Sequence, residues 1–227
     1  AHATVSRRRV NGEIERVRGE GLVVAAFGHR TSRAGDPQLH THALVANVVE
    51  HIDGGSGALH SPVLYRHART AGFIYQAVLR GELTDRLGVR WDPVHNGYAE
   101  IEGMDRRLLE VFSKRRAEIE AALAERGEDS ARAAQVAAHR TRSAKEYGVD
   151  AQTLHERWAA EAADVGVEPA TFEELVGRGA PAVTADDLRA GIDEMVSGHG
   201  LTSQQASFDH RDVVRAWCEA LPAGAKV

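Results

Sequence analysis

Apolar residues along this chain follow two regimes that change near residue 104. Before it they come in short β-prone runs broken by one helical stretch. After it they recur at helical spacing. The strongest runs are Gly21-Leu22-Val23-Val24-Ala25-Ala26-Phe27 and Ala43-Leu44-Val45-Ala46-Asn47-Val48-Val49. The segment between them, Thr31 to Gln38, is polar and carries the turn signals Gly35 and Asp36-Pro37. The pattern predicts strands over 22–30 and 39–49, paired antiparallel around a long loop. Both faces of each strand are largely apolar, as in strands covered on both sides or central in a sheet. Asp53-Gly54-Gly55-Ser56-Gly57 then turns the chain into a short return strand at Ala58-Leu59-His60.

Ser61-Pro62 opens a helix, with Ser at the cap and Pro in the first turn. Leu64, Ala68, Ala71, Ile74, Tyr75, Val78, Leu79, Leu83 and Leu87 continue it at helical spacing, and Gly88 ends it. This helix is expected to lie across the sheet. A hairpin of 89–91 and 98–101 follows, around Asp92-Pro93 and Asn96-Gly97. Helices are then predicted over 105–127, 130–147 and 150–165, the last capped by Asp150 with Leu154, Trp158 and Ala162 inward. A loose connector holds Pro169, Gly177, Gly179 and Pro181. Helices over 184–197, opened by the capping box Thr184-Ala185-Asp186-Asp187, and 207–221 complete the chain. Residues 1–9 read as the tail of a helix ending in Arg7-Arg8-Arg9, with a turn at Asn11-Gly12. The fold class is α+β.

Composition narrows this picture in three ways. Aromatic residues are only 5% of the 227, so the core rests on Ala, Val and Leu. Net charge is −5, so any nucleic-acid contact must come from local patches. The candidates are Arg7, Arg8 and Arg9 with Arg16, Arg18, Arg30 and Arg33, diluted by Glu13, Glu15 and Glu20, and the run Lys114-Arg115-Arg116 with Arg140 and Arg142. The single cysteine, Cys218, has no partner within the chain, which fits a reducing compartment. No signal peptide is visible, and no apolar run is long enough to cross a membrane. The sequence begins at Ala1 without Met, which leads us to expect a piece of a longer protein.

The candidate chemistry lies at the first hairpin. Residues two apart on a strand share a face, so His40 and His42 point the same way. Folding the hairpin brings His29 near both. Three imidazoles converging from two paired strands form a facial ligand set with open positions, as a catalytic metal requires. The alternatives are separate surface or core histidines, or a cupin-like His-x-His site. The latter wants a Glu four or five residues after the second His, where Ala46 and Asn47 stand. The Gly54-Gly55 run lacks the Lys-Ser/Thr of a phosphate loop.

The segment His29-Arg30-Thr31-Ser32-Arg33-Ala34-Gly35-Asp36-Pro37-Gln38-Leu39-His40-Thr41-His42 resembles the three-histidine motif of conjugative relaxases of the TrwC/TraI (MobF) class, within the HUH endonucleases. The likeness extends to Arg7-Arg8-Arg9-Val10-Asn11-Gly12-Glu13, Tyr65-Arg66-His67-Ala68 and Phe112-Ser113-Lys114-Arg115-Arg116, and so covers most of the chain. It implies an antiparallel sheet, the palm, with helices packed on it and the metal site within 1–104. It also implies a mobile all-helical fingers segment over 105–200, and a linker and helix over 201–227 leading toward a helicase module, although no Walker-type sequence is present.

The implied activity is metal-dependent, strand-specific nicking of origin-of-transfer DNA through a tyrosyl-phosphodiester, the tyrosine staying linked to the 5′ end. His29, His40 and His42 would hold the divalent ion. Relaxases are usually taken to use Mg²⁺, yet neutral imidazole suits Mn²⁺ or Zn²⁺ better. Arg7, Arg8, Arg9, Arg30, Arg33, Lys114, Arg115 and Arg116 are the expected DNA contacts. The implied partners are single-stranded or hairpin origin DNA, relaxosome accessory proteins and a type IV coupling protein, in the bacterial cytoplasm and without membrane insertion.

One departure is marked. In the family the nucleophilic tyrosine and a supporting acidic residue lie far upstream of the histidines. None of Tyr65, Tyr75, Tyr98 and Tyr147 matches in position or context. The expectation is an N-terminally truncated relaxase that does not cut on its own. The alternative is a catalytically inactive DNA-binding remnant of a mobile element, which restoring a tyrosine-bearing upstream segment would separate.

Overall fold

The computed structural model describes residues 4–141, 148–179, 183–203 and 205–226. Its strands are β1 (Val5–Val10), β2 (Glu13–Arg18), β3 (Val24–Thr31), β4 (Pro37–Val45), β5 (Val49–Glu50) and β6 (Ser56–Gly57). Its helices are α1 (Ser61–Leu87), α2 (Arg106–Val111), α3 (Lys114–Ala124), α4 (Ala131–Arg140), α5 (Ala151–Asp164), α6 (Ala170–Glu173), α7 (Ala185–Val196) and α8 (His210–Glu219). The mixture is α+β, and the sheets are hairpins pairing β1 with β2, β3 with β4 and β5 with β6. No helix among the described residues is long and apolar enough to cross a membrane.

Residues 5–10 form a strand, not the tail of a helix, and residues 1–3 of that expected tail lie outside the described residues. The reason for the strand is the Asn11-Gly12 pair, whose φ angles of 51° and 89° close a two-residue hairpin turn. That turn pairs Val10 with Glu13 and Val5 with Arg18, so the period is two throughout. Arginine is a good helix former, but the turn and the pairing override propensity here. Below β1, Ser6 is fully buried and its hydroxyl meets His51 Nε2 at 2.5 Å. A side chain at Gly57 would come within 3.1 Å of both partners, so any larger residue there would make this pair give way by a few tenths of an ångström.

Contacts divide the chain into two compact units that interleave in sequence. One comprises 1–25, 44–103 and 174–227; the other comprises 26–43 and 104–173. In the first, α1 is a single 27-residue helix, closed by Gly88 in the left-handed region at φ 64°, whose N–H donates to Thr84 O. His60, not Ser61, occupies its N-cap. The main partner of α1 is α8, not a sheet. Phe73, Ala77 and Cys218 form the buried contact, with Val214 and Ala225 beside them.

Arg80, 1% exposed, ties this unit together. Its guanidinium donates to Gly97 O at 2.8 Å, Cys218 O at 2.8 Å and Leu221 O at 3.3 Å. Burial pulls the Arg80 pKa down, against the neighbouring Cys218 and Glu219.

In the second unit the helix predicted over 105–127 is two helices, broken at Phe112 and Ser113. Ser113 turns its hydroxyl back to donate to Leu109 O at 2.6 Å, satisfying a carbonyl where the first helix stops. Leu108, Ala162 and Val167 form the core, covered by Met104, Val111, Phe112 and Val165. Asp150 caps α5 as predicted, accepting from Thr153 N at 3.0 Å, and Thr184 and Asp187 form the capping box of α7. Arg142, Tyr147, Pro181 and the predicted end of the helix over 130–147 lie outside the described residues.

The expected burial of both hairpin faces is not seen: Phe27, Leu39 and Leu44 are 51%, 83% and 60% exposed. Among the described residues β3 and β4 pair only with each other, which leaves those side chains without a covering layer.

Candidate metal centre

The β3–β4 hairpin presents its three histidines as one cluster. His40 and His42 share a face of β4, and His29 reaches them from β3. Ring centroids lie 5.3 Å apart for His29 and His40, 4.6 Å for His29 and His42, and 4.9 Å for His40 and His42. The rings meet at 66° to 80°, edge to face, so they converge without stacking. One ring nitrogen from each lies within 4.8 Å of the others. Three points so spaced have a common centre no more than about 2.8 Å from each, against coordination distances of about 2.0–2.3 Å. Sub-ångström side-chain shifts close that gap, so the residues fit a divalent ion.

His40 Nδ1 lies 3.0 Å from Gln38 O. A carbonyl only accepts, so Nδ1 carries the proton and Nε2 keeps the lone pair a metal needs. His29 and His40 are half-buried and His42 is exposed, which leaves one side of the cluster open.

The hairpin tip is held by the helices of its own unit. Gly35, at φ 85°, turns its carbonyl to accept from Trp158 Nε1 at 2.8 Å. Ser32 Oγ accepts from the Ala34 and Asp36 amides, both at 3.1 Å, and donates to Asp36 Oδ2 at 3.1 Å. Asp36, 2% exposed, faces Lys114 Nζ across 3.5 Å from its other oxygen. That separation makes an ion pair, not a formed hydrogen bond. Lys114 also donates to Glu161 Oε2 at 2.6 Å. Burial pulls the Lys114 pKa down, but the Glu161 hydrogen bond and the charges of Glu161 and Asp36 outweigh it, and the net shift is upward. Nothing in the sequence joins Gly35 to Trp158, 123 residues away, which is why Asp36-Pro37 reads only as a turn.

The residues expected to touch DNA fall into distinct settings. Arg7 and Arg9 are exposed on β1. Arg8 is half-buried and pairs with Asp53 at 2.9 Å and Glu15 at 3.8 Å. Arg30 is exposed on β3, one residue beyond His29. Arg33 lines a groove of about 560 Å³ with Asp36, Phe112, Arg116, Ile119 and Leu123. Arg115 is engaged locally, donating to Glu118 at 2.7 Å and Thr141 O at 2.8 Å, and also to Ala138 O. Arg116, exposed, pairs with Glu120 at 2.6 Å.

Tyr65, Tyr75 and Tyr98 are exposed in the first unit, two on α1 and one in the hairpin after it. The histidines belong to the second unit.

Three imidazoles gathered on one β-hairpin of an α+β chain thus form a donor set that a divalent ion would fit. The chain belongs to the TrwC relaxase family, whose family model matches residues 1–165. It is 29% identical over 238 aligned residues to the multifunctional conjugation protein TraI of Escherichia coli, an alignment covering 96% of this chain and 13% of that protein. Its fold matches the conjugative relaxase TrwC in complex with oriT DNA, in a metal-free structure, at a TM-score of 0.66 and 33% identity, covering 74% of this chain and 60% of that one. A copper-bound TrwC structure with oriT DNA matches at a TM-score of 0.66 and 32% identity, covering 74% and 58%. The chain therefore spans about three fifths of the TrwC chains and about one eighth of TraI.

Proposed function

We propose that this chain carries the metal-binding part of a conjugative relaxase that nicks origin-of-transfer DNA at one site on one strand. The observation that carries this is the convergence of His29, His40 and His42 donors within 4.8 Å, in a chain of the TrwC relaxase family. The relatives supply the DNA: TrwC is described in complex with oriT DNA, in metal-free and metal-bound forms.

A divalent ion bound here would neutralise charge developing on the phosphoryl oxygens and align the scissile phosphate. The protein's own part is positional. His40 is held in the ligating tautomer by Gln38 O, and the hairpin tip is fixed by Trp158 and Lys114. The open side at His42 admits the strand. The donor set favours Mn²⁺ or Zn²⁺ over Mg²⁺, because magnesium prefers oxygen ligands and keeps its water. We assign the attacking tyrosine to none of Tyr65, Tyr75 and Tyr98, which are surface residues of a helix and a hairpin. Arg30, Arg33 and Arg116 are the contacts assigned to the strand beside the metal.

The test uses Mn²⁺ as probe. Bound to three imidazoles it keeps exchangeable water, so water-proton relaxation is enhanced. Added single-stranded oligonucleotide should displace that water and lower the enhancement. A bound Mn²⁺ that shows no enhancement, or one that DNA leaves unchanged, would overturn the reading.

A further inference from the structure

Exposed apolar side chains are ordinary on a protein surface. Phe27 is set apart by its place. It lies on β3 two residues before His29, so the two share a face, about 6.7 Å apart along the strand. His40 and His42 join that face from β4. Val24 and Leu39, also exposed, fall on the reverse face by the same alternation. Phe27 therefore sets a ring, 51% exposed, beside the imidazole cluster. Among the described residues no other ring or cation lies over it.

The two sides of the cluster differ. Toward the hairpin tip, the next positions on this face are Thr31 on β3 and Gln38 on β4, a hydroxyl and an amide. Away from the tip, the next position on β3 is Phe27. A phosphate held at the histidines thus has polar neighbours on one side and an aromatic ring on the other. The phosphate itself gains nothing from that ring, whose face is the negative end of its quadrupole. A nucleobase gains stacking, and every base has a π-face to offer. Bases in a duplex are already stacked, so only an unpaired base can lie there.

We infer that Phe27 is a stacking platform for one unpaired base of the strand whose phosphate sits at the histidines. The base lies on the side of the cluster away from the hairpin tip. The inference rests on the relaxase reading and adds a base contact to a site otherwise built from phosphate-directed groups. A phenyl ring turns on two χ angles, so holding it against a base costs little entropy. Stacking involves no hydrogen bond to the base edge, so the platform selects an unpaired base and not a sequence.

The test uses the Zn²⁺-loaded chain and a set of oligothymidylates, each with a fluorescent aminopurine at one position. Stacking quenches its emission. In wild type one position should be quenched on binding more than the others. Phe27→Leu keeps an apolar side chain and should abolish that quench. It should also weaken binding about 10-fold, or about 1.4 kcal/mol. Phe27→Trp should restore both. An abasic site at the quenched position should weaken wild-type binding by a similar factor and Phe27→Leu binding scarcely further, because both changes remove the same contact. Zn²⁺ affinity should be unaltered in both variants. Phe27→Leu would overturn the platform by binding and quenching like wild type, by losing affinity equally for intact and abasic strands, or by losing Zn²⁺ as well. A wild-type chain that binds none of the strands would overturn the relaxase reading itself, a different failure.

Discussion

Replacing Trp158 by Phe tests whether the helices of the second unit hold the metal centre in register. The indole Nε1–H bond to Gly35 O is 2.8 Å long and partly buried. Replacing the indole by a phenyl keeps an aromatic side chain but leaves that carbonyl unsatisfied, a loss of about 1 kcal/mol from the hydrogen bond. A two-stranded hairpin is at best marginally stable alone, and the faces of β3 and β4 are mostly exposed. Order at the tip must therefore come from Trp158 and from the Lys114–Asp36 pair. If the lost tether lets the hairpin sample states with the imidazoles apart, metal affinity falls by the population of those states. A loss of about 1 kcal/mol corresponds to about five-fold in Kd. Isothermal titration of apo-protein with Zn²⁺ reads this directly, with thermal unfolding as the parallel measurement. Lys114→Met, which strips the buried Asp36 of its cation, should act in the same direction. A Trp158→Phe variant with a lowered Tm but wild-type Zn²⁺ affinity would refute the reasoning: the tip contact would then stabilise the unit without placing the histidines.

Further outcomes follow from other contacts. Arg80→Met deprives three carbonyls of their donor and should cost about 3 kcal/mol in urea unfolding; a change under about 0.5 kcal/mol would show the arginine to be dispensable. Asp150 is held below its usual 3.8 by the Thr153 amide and hydroxyl. Its cap is thus fully stabilising above about pH 4 and fades as pH falls through the lowered value. Asp150→Ala should accordingly flatten the acid limb of the stability curve, and an unchanged limb would count against the cap. The purified chain should leave a supercoiled plasmid bearing its cognate origin intact in Mn²⁺. Nicked circles with a tyrosyl-DNA link mapped to Tyr65, Tyr75 or Tyr98 would defeat the assignment of the nucleophile elsewhere.

Much of the centre was legible from local pattern. The spacing of His40 and His42, the turn signals after Thr31 and the apolar runs on either side are short-range features, and they define the hairpin with its three imidazoles. Helix α1 was legible from Ser61-Pro62 to Gly88 for the same reason. Residues 5–10 depart from the expected helix tail because Asn11-Gly12 is the turn of a hairpin, which pairs them with 13–18, and not merely a turn that follows a helix. The break at Ser113 turns on one hydroxyl bonding back to Leu109 O, which apolar spacing does not register. The tether from Trp158 to Gly35, the bonds of Arg80 to Cys218 and Leu221, and the interleaving of the two units join residues far apart in sequence. No periodicity reports such contacts.

The most direct test of the metal centre is a Zn²⁺ and Mn²⁺ titration of the wild-type chain beside His29→Ala, His40→Ala and His42→Ala. Wild type should take up one equivalent of either ion, more tightly than Mg²⁺, and each single substitution should weaken binding by at least about 100-fold, because each removes one of three donors. A variant that binds like wild type, or Mg²⁺ binding tightest of the three ions, would contradict it.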